Sequence, residues 1–350
     1  ASEIKQLRNL SNHKDSINQT IIKHFLNQSL LNFDENTFYS EILRFPARSY
    51  MVIDLITKQE YTKTYWEYPH NELKITLPEA KEEFRKLLLS SLELRLISDV
   101  PVGTLLSGGL DSSAITSLIK LHLNKDIQSF SIVSDDKKYS EESFVDILVN
   151  QQSIANQKLN FDADLALDNI DKVLIDHDVP YGSLSVVAQS LLFKTIKAET
   201  GITVLLSGQG ADESLMGYKK FYFFYLKKLL KEKKLLKLSK NTLGSLFNRT
   251  TITDLNLSEA KRYMPGRTNK GRSFFTCNFD DINLWEFSSL QERQILDMEK
   301  YSIPALTHYE DLNAMQSAIE VRLPFLDYRL VEFLIALPTE IKIHNGWNKY

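Results

Sequence analysis

The chain has 350 residues, 43% of them hydrophobic and 25% charged, with a formal net charge of −3. That length suits one large domain with an attachment or two ordinary ones, and the composition excludes a largely disordered chain. The charge balance argues against a dedicated nucleic-acid binder, which is usually strongly basic. Cys277 is the single cysteine, so no intrachain disulfide and no multi-cysteine zinc site can form, and a reducing compartment is expected. No apolar run approaches the roughly 18 residues of a membrane span. The opening ASEIKQLRNLSNHKDS lacks the apolar core of a secretory signal. A cytoplasmic protein without membrane or nucleic-acid partners is therefore expected. The chain begins at Ala1 rather than Met and stops at NGWNKY, which reads as a piece of something longer.

In chain order, Ile17–Leu31 has apolar residues at helical spacing, and Tyr50–Ile56 reads as a strand followed by a turn at Lys58 and Glu60. Residues 67–78 read as a linker. Pro78 then opens an amphipathic helix with acids early, as helix starts prefer. VPVGTLLSGG is a short apolar run ending in glycines, and SSAITSLIKLHL has helical periodicity. IQSFSIVS reads as a strand, residues 141–155 and 164–176 as helices, and QKLNF as a weak strand. The helix VVAQSLLFKTIKAE precedes a second strand-plus-glycine run, ITVLLSGQG. Strands alternating with helices predict an α/β fold with a doubly wound parallel sheet. From Tyr218 the chain is basic, aromatic and helical; the aromatics Phe221, Tyr222, Phe224 and Tyr225 are expected to pack one face, with the lysines solvated. Residues 238–283 read as a loop or insertion, and the chain is mostly helical again from Leu284.

Glycine is scarce: 12 residues, about half the usual ~7%. Half of them fall in two windows, Gly103, Gly108 and Gly109, and Gly208, Gly210 and Gly217. The first holds Ser107-Gly108-Gly109-Leu110-Asp111-Ser112-Ser113 between a strand and a helix. Backbone N–H groups and a helix start there form an anion cradle. Asp111 makes sense in such a cradle if a divalent cation joins the phosphates, because Mg²⁺ takes one or two carboxylates plus phosphate oxygens. The bland alternative is an Asp/Ser cap on an ordinary helix. The run lacks the Lys ending of a Walker A loop. The second window, LSGQGADE, again follows an apolar run, and Asp212 is a second carboxylate for the same metal if the strands are neighbours. His177 and Asp178 read equally as part of an acceptor pocket or as a helix-end turn. The seven histidines show no zinc-ligand spacing.

These motifs resemble a family. SGGLDSS is similar to the pyrophosphate loop of the ATP-pyrophosphatase superfamily (the PP-loop). SGQGADESLMGY, SAIEVRLPFLDYRLVEFLIALP and HNGWNKY resemble, in family order, segments of the glutamine-hydrolysing asparagine synthetases, over roughly residues 79–350. Residues 1–66 resemble the end of that family's glutamine amidotransferase (glutaminase) domain. The resemblance implies a ligase that adenylates a carboxylate with ATP, for this family the β-carboxylate of aspartate, and passes it to ammonia, drawn from glutamine in the full-length enzyme. Its cofactors would be ATP and Mg²⁺ and its partners small molecules, with a possible homodimer. Residue by residue, it places ATP and pyrophosphate at Leu106, Ser107, Gly108, Gly109, Leu110, Asp111, Ser112, Ser113, Ile132, Ser207 and Gly208. It places the metal on Asp111 and Asp212, and catalytic roles at Gln209 and Lys349.

Departures from the family pattern cluster on the substrate side. Gln209 stands where the well-studied bacterial and animal members carry Glu, and an amide cannot act as a base; relatives tied to surface-polysaccharide loci vary here, so the change does not exclude activity. Leu312 and Ala314 stand where relatives often carry Arg and Ser, and Val179 where many carry Glu. The family's N-terminal cysteine nucleophile has no counterpart at Ala1, so glutamine hydrolysis by this chain is not expected. A related amide synthetase on another carboxylate and a nucleotide-binding pseudo-enzyme are the alternatives.

Overall fold

The computed structural model describes residues 3–10, 16–136, 140–177, 179–248, 250 and 282–350. It divides into two compact units. The sheet unit comprises Pro78–Ala211 and Leu306–Val331; the helical unit comprises Ala1–Leu77, Asp212–Ala305 and Glu332–Tyr350.

The sheet unit carries five parallel strands: β3 (Val102–Leu105), β4 (Gln128–Val133), β5 (Ala155–Asn160), β6 (Val204–Leu206) and β7 (Glu320–Arg322). Parallel neighbours need long crossovers. Helix α4 (Leu110–Leu121) links β3 to β4, and α5 (Glu142–Gln152) links β4 to β5. Helices α6 (Ala163–His177) and α7 (Leu184–Thr200) lie between β5 and β6. The spatial order is β5-β4-β3-β6-β7. The chain thus winds one way from β3 to β5, returns to the other side of β3 as β6, and continues outward to β7. That reversal is the doubly wound arrangement expected from the alternating pattern, and β3 and β6 flank its switch point, where open α/β sheets bind ligands.

Burial explains the sheet. Phe130, Leu192, Phe193, Ile196, Leu205, Ala314 and Ile319 form one apolar cluster in which β4, β6 and α7 meet. Truncating a fully buried phenylalanine such as Phe193 costs about 3–5 kcal/mol in comparable cores. Strand β7 was not apparent in the sequence. It is three residues long and bears charges at Glu320 and Arg322, so it shows neither apolar run nor alternation.

In the helical unit, α2 spans Gln19–Gln28 and the expected strand is Ser49–Ile53 (β1). Its partner β2 (Glu60–Thr64) completes an antiparallel hairpin. EYTKT is exposed throughout, which is why no burial pattern announces it. Helix α9 (Lys219–Lys231) buries Phe221, Tyr222, Phe224 and Tyr225 as expected. Helix α10 (Leu235–Phe247) enters the stretch expected to be a loop. Its most buried residues are Asn241 and Ser245, so the inward face is polar and hides the helical period. The rest of that stretch, with Cys277, lies outside the described residues. Hydrogen bonds tie the N-terminal residues into this unit: Gln28 Nε2 donates to the Ile282 carbonyl at 2.8 Å, and Trp66 Nε1 to Glu332 at 2.6 Å.

Candidate active site

The first loop leaves β3 at its carboxyl end and enters α4. Leu106 is buried and still belongs to the sheet: its N–H donates to the Phe130 carbonyl at 2.7 Å, and Ser131 Oγ donates to its carbonyl at 2.6 Å. The turn then knits itself together. The Ser107 and Gly109 N–H groups donate to Ser112 Oγ and Ser107 Oγ, each at 3.2 Å. Ser112 Oγ donates to the Gly109 carbonyl at 3.2 Å, and the Ser113 N–H reaches the same carbonyl at 3.1 Å. Gly108 sits at φ +92°, and a Cβ there would lie 2.8 Å from the Glu141 carbonyl. Gly109 caps α4 without a side chain. Leu110 is exposed and Asp111 occupies the first helical turn. A helix start favours an anion through its exposed N–H groups and dipole.

The second loop leaves β6, the neighbour of β3. Register pairs Thr104 with Leu206, so the two turns emerge side by side. They meet at Gly208, where a Cβ would stand 3.2 Å from the Ser112 nitrogen and 3.3 Å from the Asp111 Cβ. Any side chain at 208 would press the second loop against the first. Ser207 is buried; its N–H donates to the Arg322 carbonyl at 3.0 Å, and its Oγ accepts from the Gln209 N–H at 3.4 Å. Ile132, on β4, is half-buried against the apolar cluster.

Beneath this loop lies Glu310, a residue that sequence reasoning did not single out. It is 2% exposed. Burial pushes its carboxyl up to about 7, although hydrogen bonds with Ser207 and Gln189 oppose the rise. Gln189 Nε2 donates to it at 3.1 Å and Gln189 Oε1 accepts from Asn313 Nδ2 at 3.0 Å. Asn313 Oδ1 in turn meets His177 Nε2 at 2.7 Å. His177, the last residue of α6, is thus buried and joined to Glu310 through Asn313 and Gln189; Asp178 lies outside the described residues.

The remaining two residues come together in the helical unit. Lys349 Nζ pairs with Asp212 Oδ1 at 2.8 Å. Gly217 lies against both, and a Cβ there would collide with the Asp212 carboxylate and the Lys349 chain. Lys349 is presented by a two-residue hairpin, β8 (Ile343–His344) and β9 (Trp347–Asn348), turned by Asn345 and Gly346 at φ +49° and +89°. An Asn-Gly pair with both φ positive is the favoured turn for so tight a hairpin. Asn348 Nδ2 fixes it by reaching the carbonyls of Met216, Gly217 and Tyr218 at 3.0–3.2 Å. Next to Asp212, the buried Glu213 carboxyl is raised by burial, against hydrogen bonds from Ser302 and Tyr218.

Mg²⁺ takes hard oxygen ligands, and each unit offers a carboxylate of that kind: Asp111 in the first turn of α4 in the sheet unit, and Asp212 in the helical unit. Among the described residues no group of three or more His, Cys, Asp and Glu stands ready as a metal cage. Mg²⁺ does not require one, since it keeps waters and substrate phosphate oxygens as ligands.

The family model for asparagine synthase matches residues 83–350. The chain belongs to the asparagine synthase family. A putative glutamine-hydrolyzing asparagine synthetase 2 from Methanocaldococcus jannaschii is 32% identical over 59% of this chain and 40% of its own length. Asparagine synthetase 3 of Bacillus subtilis is 26% identical over 81% of this chain and 47% of its own. Asparagine synthetase B of Escherichia coli is 31% identical over 52% and 34%. The chain spans less than half the length of each of these relatives. Of the positions that depart from the family pattern, Leu312, Ala314 and Val179 are all under 10% exposed, whereas Gln209 is half-buried. Ala314 belongs to the apolar cluster beneath the sheet.

Proposed function

We propose that this chain is the synthetase part of a glutamine-dependent asparagine synthetase, a cytoplasmic ATP-dependent ligase that forms an amide. The observation that carries this reading is the contact of two glycine loops at the switch point of a parallel sheet, with Asp111 at the start of α4. ATP lies with its adenosine against Leu106, Ile132, Ser207 and Gly208 and its β- and γ-phosphates in the turn Ser107–Ser113. An aspartate β-carboxylate oxygen attacks the α-phosphorus, the bond to the β-phosphate breaks, and pyrophosphate leaves as the acyl-adenylate forms. Ammonia then adds to the acyl carbon, AMP departs, and one proton is lost to yield the amide. Asp111 and Asp212 are the proposed ligands for Mg²⁺, which supplies charge neutralisation on the phosphates. Lys349 adds a positive charge for the phosphate oxygens, a role an ammonium group fills as a point charge. Its Nζ lies 2.8 Å from Asp212 Oδ1.

Residues 1–66 are proposed as the tail of the glutaminase domain, with 67–78 as linker and 79–350 as the synthetase domain. Gln209 favours a second reading, in which the acceptor is a carboxylate other than aspartate. ATP–pyrophosphate exchange separates the readings. Stimulation by aspartate above a panel of other acids supports asparagine synthesis. Stimulation by a different acid alone replaces the substrate, and no exchange with any acid refutes a ligase.

A further inference from the structure

A solvent-facing helix normally turns a polar face outward, whereas the outward side of α10 is largely apolar. Its inner side, Leu238, Asn241, Thr242 and Ser245, packs into the helical unit. Its outer side carries Leu235, Leu236, Leu243, Leu246 and Phe247, all exposed, with Leu236 at 88% and Phe247 at 84%. At 100° per residue, Leu236, Leu243 and Phe247 fall on one line with Lys240 at its side, and Leu235 and Leu246 lie about a quarter-turn round the helix. Leu230, at the end of α9, adds a further exposed apolar group.

The charge around this face is equally distinctive. Residues 219–248 hold nine lysines against one acid, Glu232, in a chain whose total is −3. Lys227, Lys231, Lys233, Lys234, Lys237 and Lys240 are exposed around the turn between α9 and α10 and along α10. Glu232 pairs with Lys234 at 2.7 Å, Lys237 lies 3.7 Å from Glu340 and Lys220 pairs with the buried Asp297 at 2.7 Å, which leaves the exposed Lys231, Lys233 and Lys240 to give the face its positive character.

We propose that the outer face of α10, with the lysines of the α9–α10 turn, is a docking surface for an anionic lipid bilayer. Leucine and phenylalanine enter the acyl boundary while lysines stay at the headgroups, the division of labour of an interfacial amphipathic helix. Charge decides among occupants. A second copy would bring the same lysine-rich surface against itself. Nucleic acid would satisfy the lysines but leave the leucine row against phosphates. The surface differs from the expectation of no membrane partner because it needs no spanning segment, and no described helix could span a membrane.

The test is flotation of the chain with two kinds of vesicle: pure phosphatidylcholine, and phosphatidylcholine with about one third phosphatidylglycerol. Co-flotation with the anionic vesicles only, weakened by salt, is expected. The double change Leu236→Glu and Phe247→Glu, at fully exposed sites, should abolish it while leaving the melting temperature unchanged. Lys231→Glu with Lys240→Glu should weaken it at least ~25-fold, about fivefold per lysine removed. Flotation indifferent to both double variants, or no flotation at all, overturns the proposal. So does self-association that the Leu236/Phe247 variant removes, which would assign the face to a second copy.

Discussion

Glu310 offers a quantitative check on how the second loop is supported. Its carboxyl is raised from 4.5 to about 7, chiefly by burial, and Asp311 adds a smaller push in the same direction. That displacement corresponds to about 3 kcal/mol in favour of the protonated form once the chain is folded. Because the folded value is the higher one, this contribution is complete below the unfolded value near 4.5. It drains away as pH rises through about 7. Glu310→Gln keeps the shape and can still bond to Gln189, but has nothing to titrate. The variant should therefore gain on the parent by about 3 kcal/mol between about pH 4 and about pH 8. Tryptophan fluorescence is the wrong probe, since Trp66, Trp285 and Trp347 all belong to the helical unit. Hydrogen exchange in peptides covering α7 and β6 reads the relevant unit, with parent and variant compared at each pH. A stability difference that stays constant across the range would refute the assignment of a buried, proton-holding carboxyl.

Three further outcomes bear on the proposed site. Asp111→Asn should lower Mg-ATP-dependent pyrophosphate exchange by at least ~100-fold with an unchanged circular dichroism spectrum; parental exchange rates would remove Asp111 from the metal. Gly208→Ala places a methyl group 3.2 Å from the Ser112 nitrogen, so the KM for ATP should rise at least ~10-fold, whereas an unchanged KM would mean that the two loops do not clasp the nucleotide together. Gln209→Glu should alter the rate of amide formation in single-turnover assays while leaving ATP affinity within about twofold; the reverse pattern would show that residue 209 faces the nucleotide.

Legibility in the sequence followed contiguity. SGGLDSS and SGQG announce themselves because each loop must bind with its own backbone, so glycine, serine and acid crowd into one short string. The strands beneath them were visible as apolar runs because they are buried on both faces. What stayed hidden depends on partners far away in the chain. Glu310 is one acid in a helix until Gln189 and Ser207 close over it. Asp212 is suggested by its own glycine loop and Lys349 by resemblance alone, but nothing in either segment announces that they form a 2.8 Å pair. β2 escaped because it is polar and exposed, β7 because it is three residues long, and α10 because its inner face is built on Asn241 and Ser245.

The interleaving of the two units sets an order on their completion during synthesis. The sheet unit has four of its strands once Ala211 is made, yet lacks its edge strand β7 until Leu306–Val331 follows. The ribosome, at about 5–20 residues per second, needs several seconds to cross the intervening stretch. During that interval β6 is an open edge, a template for pairing with another nascent chain. The helical unit waits longer still, because it also takes in Glu332–Tyr350, with the hairpin that carries Lys349. Neither unit can be excised as a continuous fragment, and a chain cut after Val331 would keep the glycine loops while losing the lysine that faces Asp212.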